Sequence, residues 1–329
     1  MSTNEEIIKV ENLKKVFKVP QKEDETFLAS LKQLVNRKYA TVTAVDNISM
    51  CIKKGEIRAL IGPNGSGKST TIKILTGTLF PTEGSVMAAG YIPWKNRKSY
   101  VRNIGVVAGQ RSQLMWDLPP IDTFSYNREV YRIPRDEYDR TINEFNNLLD
   151  LSSIISRPVR QLSLGERMKC ELVCALLHSP EIVYLDEPTI GLDINAKTSI
   201  HKFIKSINEK KKTTFILTTH DLDDVENLCE NITVINKGSI VYSDSIKNLK
   251  GMVSGERIIN LVFNKEAEKD ALKDCEIIEW MPLRAKIKVD LGKKNIQEVI
   301  STIVKSLPCV DIMIESIGIE EIISRIYTW

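Results

Sequence analysis

Residues 56 to 75 read EIRALIGPNGSGKSTTIKIL: an apolar run, a loop holding three glycines, then a stretch with helical spacing. Glycine is poorly suited to a helix interior, so three of them directly before a helix mark a loop whose backbone must approach something closely. Gly62, Pro63, Asn64, Gly65, Ser66, Gly67, Lys68, Ser69 and Thr70 fit the spacing G-x-x-x-x-G-K-[ST]. Such a loop curls tightly and brings backbone N–H groups against phosphate oxygens with no Cβ in the way. The helix start adds unpaired N–H groups and a partial positive charge. Lys68 is then expected to reach the β- and γ-phosphates of a nucleotide, and Ser69 to ligate Mg²⁺. The alternative, a glycine-rich turn without a ligand, is disfavoured by the strand before and the helix after.

Short runs rich in Ile, Val, Leu and Thr recur along the first 250 residues: 56–62, 102–108, 181–187, 213–219 and 230–236. They read as buried, mostly parallel strands, alternating with helical patterns such as LGERMKCELVCALLHS, which makes this region an α/β layered fold. From residue 251 the order changes to β-α-β-β-α-β, with KEAEKDALK and NIQEVISTIVKSL as its helices, and resembles the split βαβ arrangement. The expected organisation is therefore a domain over 1–250 and a small α+β accessory domain over 251–329. An insertion at 18–43 carries Phe27, Leu28, Leu31, Leu34 and Val35, which suits a short amphipathic helix. It reads as a decorated surface loop in preference to a partner-docking element.

Composition narrows the function. The 329 residues carry 46 basic and 43 acidic side chains, a balance that calls for neither nucleic acid nor an anionic membrane surface. The N-terminus lacks the pattern of a secretory signal, and no apolar run approaches the roughly 18 residues of a spanning helix. Six scattered cysteines point to buried thiols in a reducing cytoplasm. Cys170 and Cys174, four apart on a helix, read as core and not as metal ligands.

A second constellation, IVYLDEP at 182–188, ends an apolar strand in two carboxylates, which is costly unless a cation or a reaction uses them. Asp186 is expected to partner Mg²⁺, as in other P-loop NTPases. Glu187 is expected to orient or deprotonate the water that attacks the γ-phosphate. His220 follows the strand TTFILTT, at the sheet end where ligands of α/β folds bind. It is expected to contact the γ-phosphate and to hold the water together with Glu187.

These motifs, taken in order over residues 7–245, resemble the ATP-binding cassette (ABC) ATPases, and within them the nucleotide-binding subunits of bacterial export systems. The resemblance rests on Gly62 to Thr70, Gln110, LSLGE at 162–166, Asp186 with Glu187, Gly191-Leu192-Asp193, and His220. It implies a P-loop NTPase fold with a helical subdomain at about 111–178, and ATPase activity. Gln110 would sense Mg²⁺ or water and, with Ser69 and Asp186, make up the metal site; Asp193 would join the ATP contacts. Ser163 and the Gly165 amide would face the phosphate bound by a second copy, so that ATP joins a head-to-tail dimer of this chain or of this chain with a similar ATPase. Adenine would stack on Phe17, with Tyr39 as the competitor. The partner would be a separately encoded transmembrane permease, with the chain peripheral on the cytoplasmic face of the membrane; the alternative is a soluble ABC-type ATPase not coupled to transport. The sequence departs from the common LSGGQ at Leu164 and Glu166, and a glutamate there should oppose a polyphosphate unless Arg167 or Lys169 offsets it. Leu114, Met115 and Trp116 read equally as core or as part of a groove for the permease.

Overall fold

Strands β1 (Glu6–Pro20) and β2 (Tyr39–Lys53) pair antiparallel, in a register that runs from Glu6↔Lys53 to Pro20↔Tyr39. The computed structural model describes residues 5–20, 39–109, 112–269, 275–293 and 295–327. Residues 18–20 and 39–43 are therefore strand and not the margins of an insertion, because each finds a ladder partner across the pair. The amphipathic stretch expected over 27–35 lies outside the described residues.

Next come β3 (Ile57–Ile61), α1 (Lys68–Leu75), β4 (Glu83–Ala88), α2 (Arg97–Tyr100) and β5 (Ile104–Ala108). A helical segment follows with α3 (Pro120–Tyr131), α4 (Arg135–Leu149), a 3-10 turn at Val159–Gln161, and α5 (Leu164–Leu176). The chain then returns through β6 (Ile182–Asp186), α6 (Ile194–Lys211), β7 (Thr214–Thr218), α7 (Leu222–Leu228), β8 (Asn231–Asn236) and β9 (Ser239–Ser245). The main sheet has the order β5-β6-β7-β3-β8-β9, and β5, β6, β7, β3 and β8 run parallel. Every residue of β3 and β7 is buried, which explains why these strands are unbroken apolar runs instead of alternating ones. A smaller antiparallel sheet, β2-β1-β4, shares its core with the main sheet through Ile8, Val10, Leu60, Ile74 and Tyr184.

Parallel pairing decides where chemistry can happen. Leu60 and Asp186 are both partnered to Thr218, so β3, β6 and β7 end side by side and the loops that follow them meet at one edge. This is the position at which open α/β sheets bind ligands.

The chain divides into two compact units, Met1–Ser243 and Asp244–Trp329, a division ahead of the 250/251 boundary read from sequence. The reason is α8 (Ile246–Gly251), which touches the final helix, α10 (Ile319–Ile326). The second unit contains β10 (Glu256–Phe263), β11 (Glu276–Met281), β12 (Arg284–Asp290), α9 (Ile296–Ser306) and β13 (Cys309–Ser316). Its sheet is antiparallel throughout in the order β11-β12-β10-β13, the arrangement a split βαβ unit produces. Ile259, Leu261, Ile287 and Val289 pack under Val299 and Ile303 of α9. The helix expected over 265–273 is absent from 264–268, and 270–274 lie outside the described residues. No helix among the described residues is long and apolar enough to cross a membrane.

Candidate functional site

The loop between β3 and α1 is shaped by close backbone approaches. A Cβ on Gly62 would lie 2.1 Å from the Ile235 carbonyl oxygen, and one on Gly67 2.4 Å from that of Ala44. Gly67, with φ of 109°, is the residue preceding α1, and no side chain caps that helix. Its first N–H groups are left for another acceptor. From behind, the Gly238 amide donates to the Ser66 carbonyl at 2.9 Å, so the turn between β8 and β9 braces the loop. Pro63, Asn64 and Gly65 form its exposed tip, Ser69 is exposed at the helix start and Thr70 is half-buried. Ser66 Oγ is buried without a protein partner. The Lys68 ammonium folds back and donates to the carbonyls of Gly62 at 2.6 Å and Pro63 at 3.1 Å. Burial pulls Lys68 below its ordinary pKa, against the opposing pull of Glu187 and Asp186 nearby.

Those two carboxylates stand at the end of β6. Asp186 accepts from Thr218 Oγ1 at 2.5 Å. Glu187 leaves the strand with φ of 52°, a left-handed conformation that costs a side-chain-bearing residue about 1–2 kcal/mol. Its amide is held by Thr218, by the carbonyl at 3.0 Å and by Oγ1 at 3.2 Å. Strained backbone of this kind collects at working sites. His220 Nδ1 lies 3.3 Å from Glu187 Oε1, and the pair borders a cavity of about 110 Å³ that also touches Lys197 and Gly191. The sheet has brought together Lys68, Asp186, Glu187 and His220 from three separate loops.

Ser163 starts α5. Its Oγ accepts from the Glu166 amide at 3.2 Å, and its own amide donates to Glu166 Oε2 at 2.8 Å, a complete capping box. Arg157 Nη2 closes on the other Glu166 oxygen at 2.5 Å. The Ser163 amide, with Arg157, holds the Glu166 carboxyl below its usual pKa in spite of partial burial. The offset expected from Arg167 or Lys169 therefore comes from Arg157. Arg167 instead lies over the Trp116 ring at 5.7 Å, and Lys169 donates to the Leu149 carbonyl at 2.8 Å. A Cβ on Gly165 would sit 2.8 Å from Ala196 Cβ, so glycine here lets α5 and α6 meet. Asp193 caps α6 by accepting from the Ala196 amide at 2.9 Å.

The family profile of ABC transporters matches residues 45–190. A putative ABC transporter ATP-binding protein of Clostridium acetobutylicum is 30% identical over 72% of this chain and 86% of its own length. This chain belongs to the ABC transporter ATP-binding proteins. The linearmycin resistance ATP-binding protein of Bacillus subtilis is 27% identical over 87% of this chain and 93% of its own. ABC transporter G family member 20 of Dictyostelium discoideum is 35% identical over 64% of this chain, which spans only 28% of that protein. A dimeric structure of a bacterial ABC transporter cassette superposes with a TM-score of 0.59 at 25% identity, covering 73% of this chain and 98% of the cassette. The chain is thus an ABC ATPase.

In this ABC ATPase, Gln110 lies outside the described residues. Its neighbours Ser112 and Gln113 are described: the Ser112 hydroxyl and the Gln113 amide both donate to Glu171, a buried carboxylate on α5 that sequence reading passed over. Leu114 is buried while Met115 and Trp116 are exposed, so that cluster divides between core and surface. Cys170 and Cys174 are buried on α5, and burial pushes the Cys170 thiol up to about 12. Phe17 lies within β1, which runs on to Pro20. It faces Val42, two residues before Ala44, whose carbonyl abuts Gly67. Tyr39 is five residues from Ala44 along β2, roughly 17 Å at about 3.3 Å per residue. Sequence reading also missed Thr218, Arg157 and Asp224. The capping box was not read either, although Ser163-Leu164-Gly165-Glu166 fits S-x-x-E and carries its signal.

Proposed function

We propose that this ATP-binding protein hydrolyses ATP with Glu187 and His220 as the groups that hold the attacking water, and that it does so as a head-to-tail dimer. The observation that carries the reading is the Glu187–His220 contact at 3.3 Å, beside a phosphate loop whose lysine feels both carboxylates. Glu187 accepts the proton of the water, and His220 orients it toward the γ-phosphate. Lys68 exchanges the Gly62 and Pro63 carbonyls for phosphate oxygens, and the uncapped start of α1 adds its amides. Adenine stacks on Phe17, the aromatic nearer to Gly67.

Ser69 and Asp186 are oxygen donors, the chemistry a Mg²⁺ ion prefers, and two such ligands leave room for phosphate and water. When bound, Mg²⁺ neutralises charge on the β- and γ-phosphates. Ser69 and Asp186 would hold it, with Gln110 as the third candidate ligand.

Lys68 and Ser69 leave one side of the γ-phosphate open, and the signature of a second copy, Ser163 with the Gly165 amide, fills it. Leu164, Ile190 and Ile194 favour this reading, being exposed apolar side chains beside the signature and Asp193. The other partner is a separately encoded permease, which places the chain on the cytoplasmic face of a membrane. Export is the direction we favour, in keeping with the sequence resemblance and with the resistance function named for the Bacillus subtilis relative. Glu187→Gln is the test: loaded with ATP and Mg²⁺, it should elute as a dimer and release phosphate about 10²–10³-fold more slowly than the wild type. A rate equal to the wild type removes Glu187 from the reaction, and a strictly monomeric Glu187→Gln removes the sandwich.

A further inference from the structure

The contact between Glu187 and His220 is too weak to position itself. At 3.3 Å, with the His220 side chain 63% exposed, it is open to water, and exposed pairs of this type are worth little. The bonds from the Glu187 amide to Thr218 are one tie between the two loops, and a buried group behind the pair supplies a second.

That group is Asp224, on the first turn of α7 and with no exposed side-chain surface. Three donors from three elements converge on it. His201 Nε2, from α6, lies 2.8 Å from Oδ1; the Thr219 hydroxyl donates to Oδ2 at 2.9 Å; and the Thr189 hydroxyl donates to the same oxygen. Burial alone would raise the Asp224 carboxyl, but the bonds from His201, Thr189 and Thr219 hold it below its ordinary value. The carboxylate is thus charged, dry and fully bonded, the condition under which a buried polar network is rigid.

What it joins matters more than its stability. Thr189 is two residues after Glu187, and Thr219 directly precedes His220. One buried oxygen therefore anchors both loops that carry the proposed hydrolytic pair. We propose that Asp224 is a positioning residue for ATP hydrolysis, fixing the separation of Glu187 and His220 through Thr189 and Thr219, with His201 as its donor from α6. The inference rests on the reading of Glu187 and His220 given above. A misplacement of about 1 Å can cost on the order of 10²-fold in rate, so the device acts on turnover and not on nucleotide binding.

The test uses the full chain with Mg²⁺ and ATP, comparing the wild type, Asp224→Asn, Thr219→Val and the double variant, with ADP affinity measured in parallel. Asp224→Asn should lower kcat by about 10–100-fold while KM stays within about threefold, since the phosphate loop is untouched. The double variant should be no more than about twofold worse than Asp224→Asn, because both substitutions break one chain of contacts. His201→Gln, which keeps a side-chain N–H, should retain most of the turnover that His201→Ala loses. A purely structural role would leave kcat per ADP-binding site unchanged, raise KM instead, or make the two losses multiply; any of these overturns the proposal. If Asp224→Asn binds no ADP because it has not folded, the milder Thr189→Val and Thr219→Val pair carries the same comparison, with multiplying losses again the refuting result. Wild type and Glu187→Gln serve as the separate control: equal phosphate release there refutes the hydrolytic pair itself, whatever Asp224 does.

Discussion

Two of the helices that begin around the proposed site, α1 and α5, begin differently. α1 opens on Gly67 with no side-chain cap, whereas α5 opens on Ser163 with a capping box and Arg157 behind it. The first leaves its amides to a ligand, so its local stability is completed only when one arrives. The second satisfies its own start with side chains and keeps its shape without a ligand. In the proposed nucleotide sandwich the two halves would thus divide their labour: one is completed by phosphate, the other stands ready as a finished surface. The glutamate of LSLGE, unfavourable in charge next to a polyphosphate, supplies the acceptor of that box and adds the ion pair with Arg157.

The largest expected effect comes from breaking the open end. Lys68→Ala should lower ATP turnover by at least about 10²-fold, the usual loss when a preorganised charge is removed from a developing one. Its melting temperature should hold or rise, since a buried ammonium has gone; a cooperative melt alongside the ATPase assay checks both. Gly67→Ala forces a Cβ into the Ala44 carbonyl at a φ of 109°, and should destabilise the fold by about 1–3 kcal/mol as read by urea unfolding. At the closed end the effects are smaller. Ser163→Ala removes the cap and should cost about 1 kcal/mol, or a fall of about 2–4 °C in melting temperature for a unit of this size. Glu166→Gln keeps the acceptor of the box and gives up the charge. It should therefore change stability by less than about 0.5 kcal/mol while tightening the ATP-dependent dimer of Glu187→Gln, measured by analytical ultracentrifugation.

The smallest effect is one of pH. The folded Glu166 carboxyl is held below the roughly 4.3 of an unfolded glutamate. Its contribution is then complete above that value and disappears as pH falls through the lower, folded one. The melting-temperature gap between wild type and Glu166→Ala should be constant near neutrality and close in acid. A gap that does not narrow at all in acid would mean that the charge plays no part in the cap.

Much of this was legible in the sequence, and the boundary of legibility has a physical cause. The phosphate loop, the DE pair at 186–187 and the strand–helix alternation are local patterns, so they can be read from neighbours along the chain. The direction of the strands could be inferred from their unbroken apolar character. The sheet order could not, because β3 sits between β7 and β8 through contacts that span more than 150 residues. The length of β1 was hidden for a related reason: it is fixed by the pairing partner, and the ladder of β2 carries β1 on to Pro20, past the start of the insertion read at 18–43. Arg157 was invisible because its pairing with Glu166 follows from how the turn before α5 folds, while Arg167 and Lys169, nearer in sequence, point elsewhere. Asp224 hid within the acidic run DLDDVE, where composition gives no sign that one carboxylate of four is dry.

Lys68 gives the resting loop an occupant of its own. With its ammonium seated on the Gly62 and Pro63 carbonyls, nucleotide entry in the proposed mode would be a swap of ligands and not a capture by bare charge. Small anions that offer a single oxygen gain little by displacing two carbonyls, while a triphosphate, bringing many oxygens at once, displaces them with profit to spare. Selection for polyphosphate over the cell's ordinary phosphate would then begin before any base is recognised.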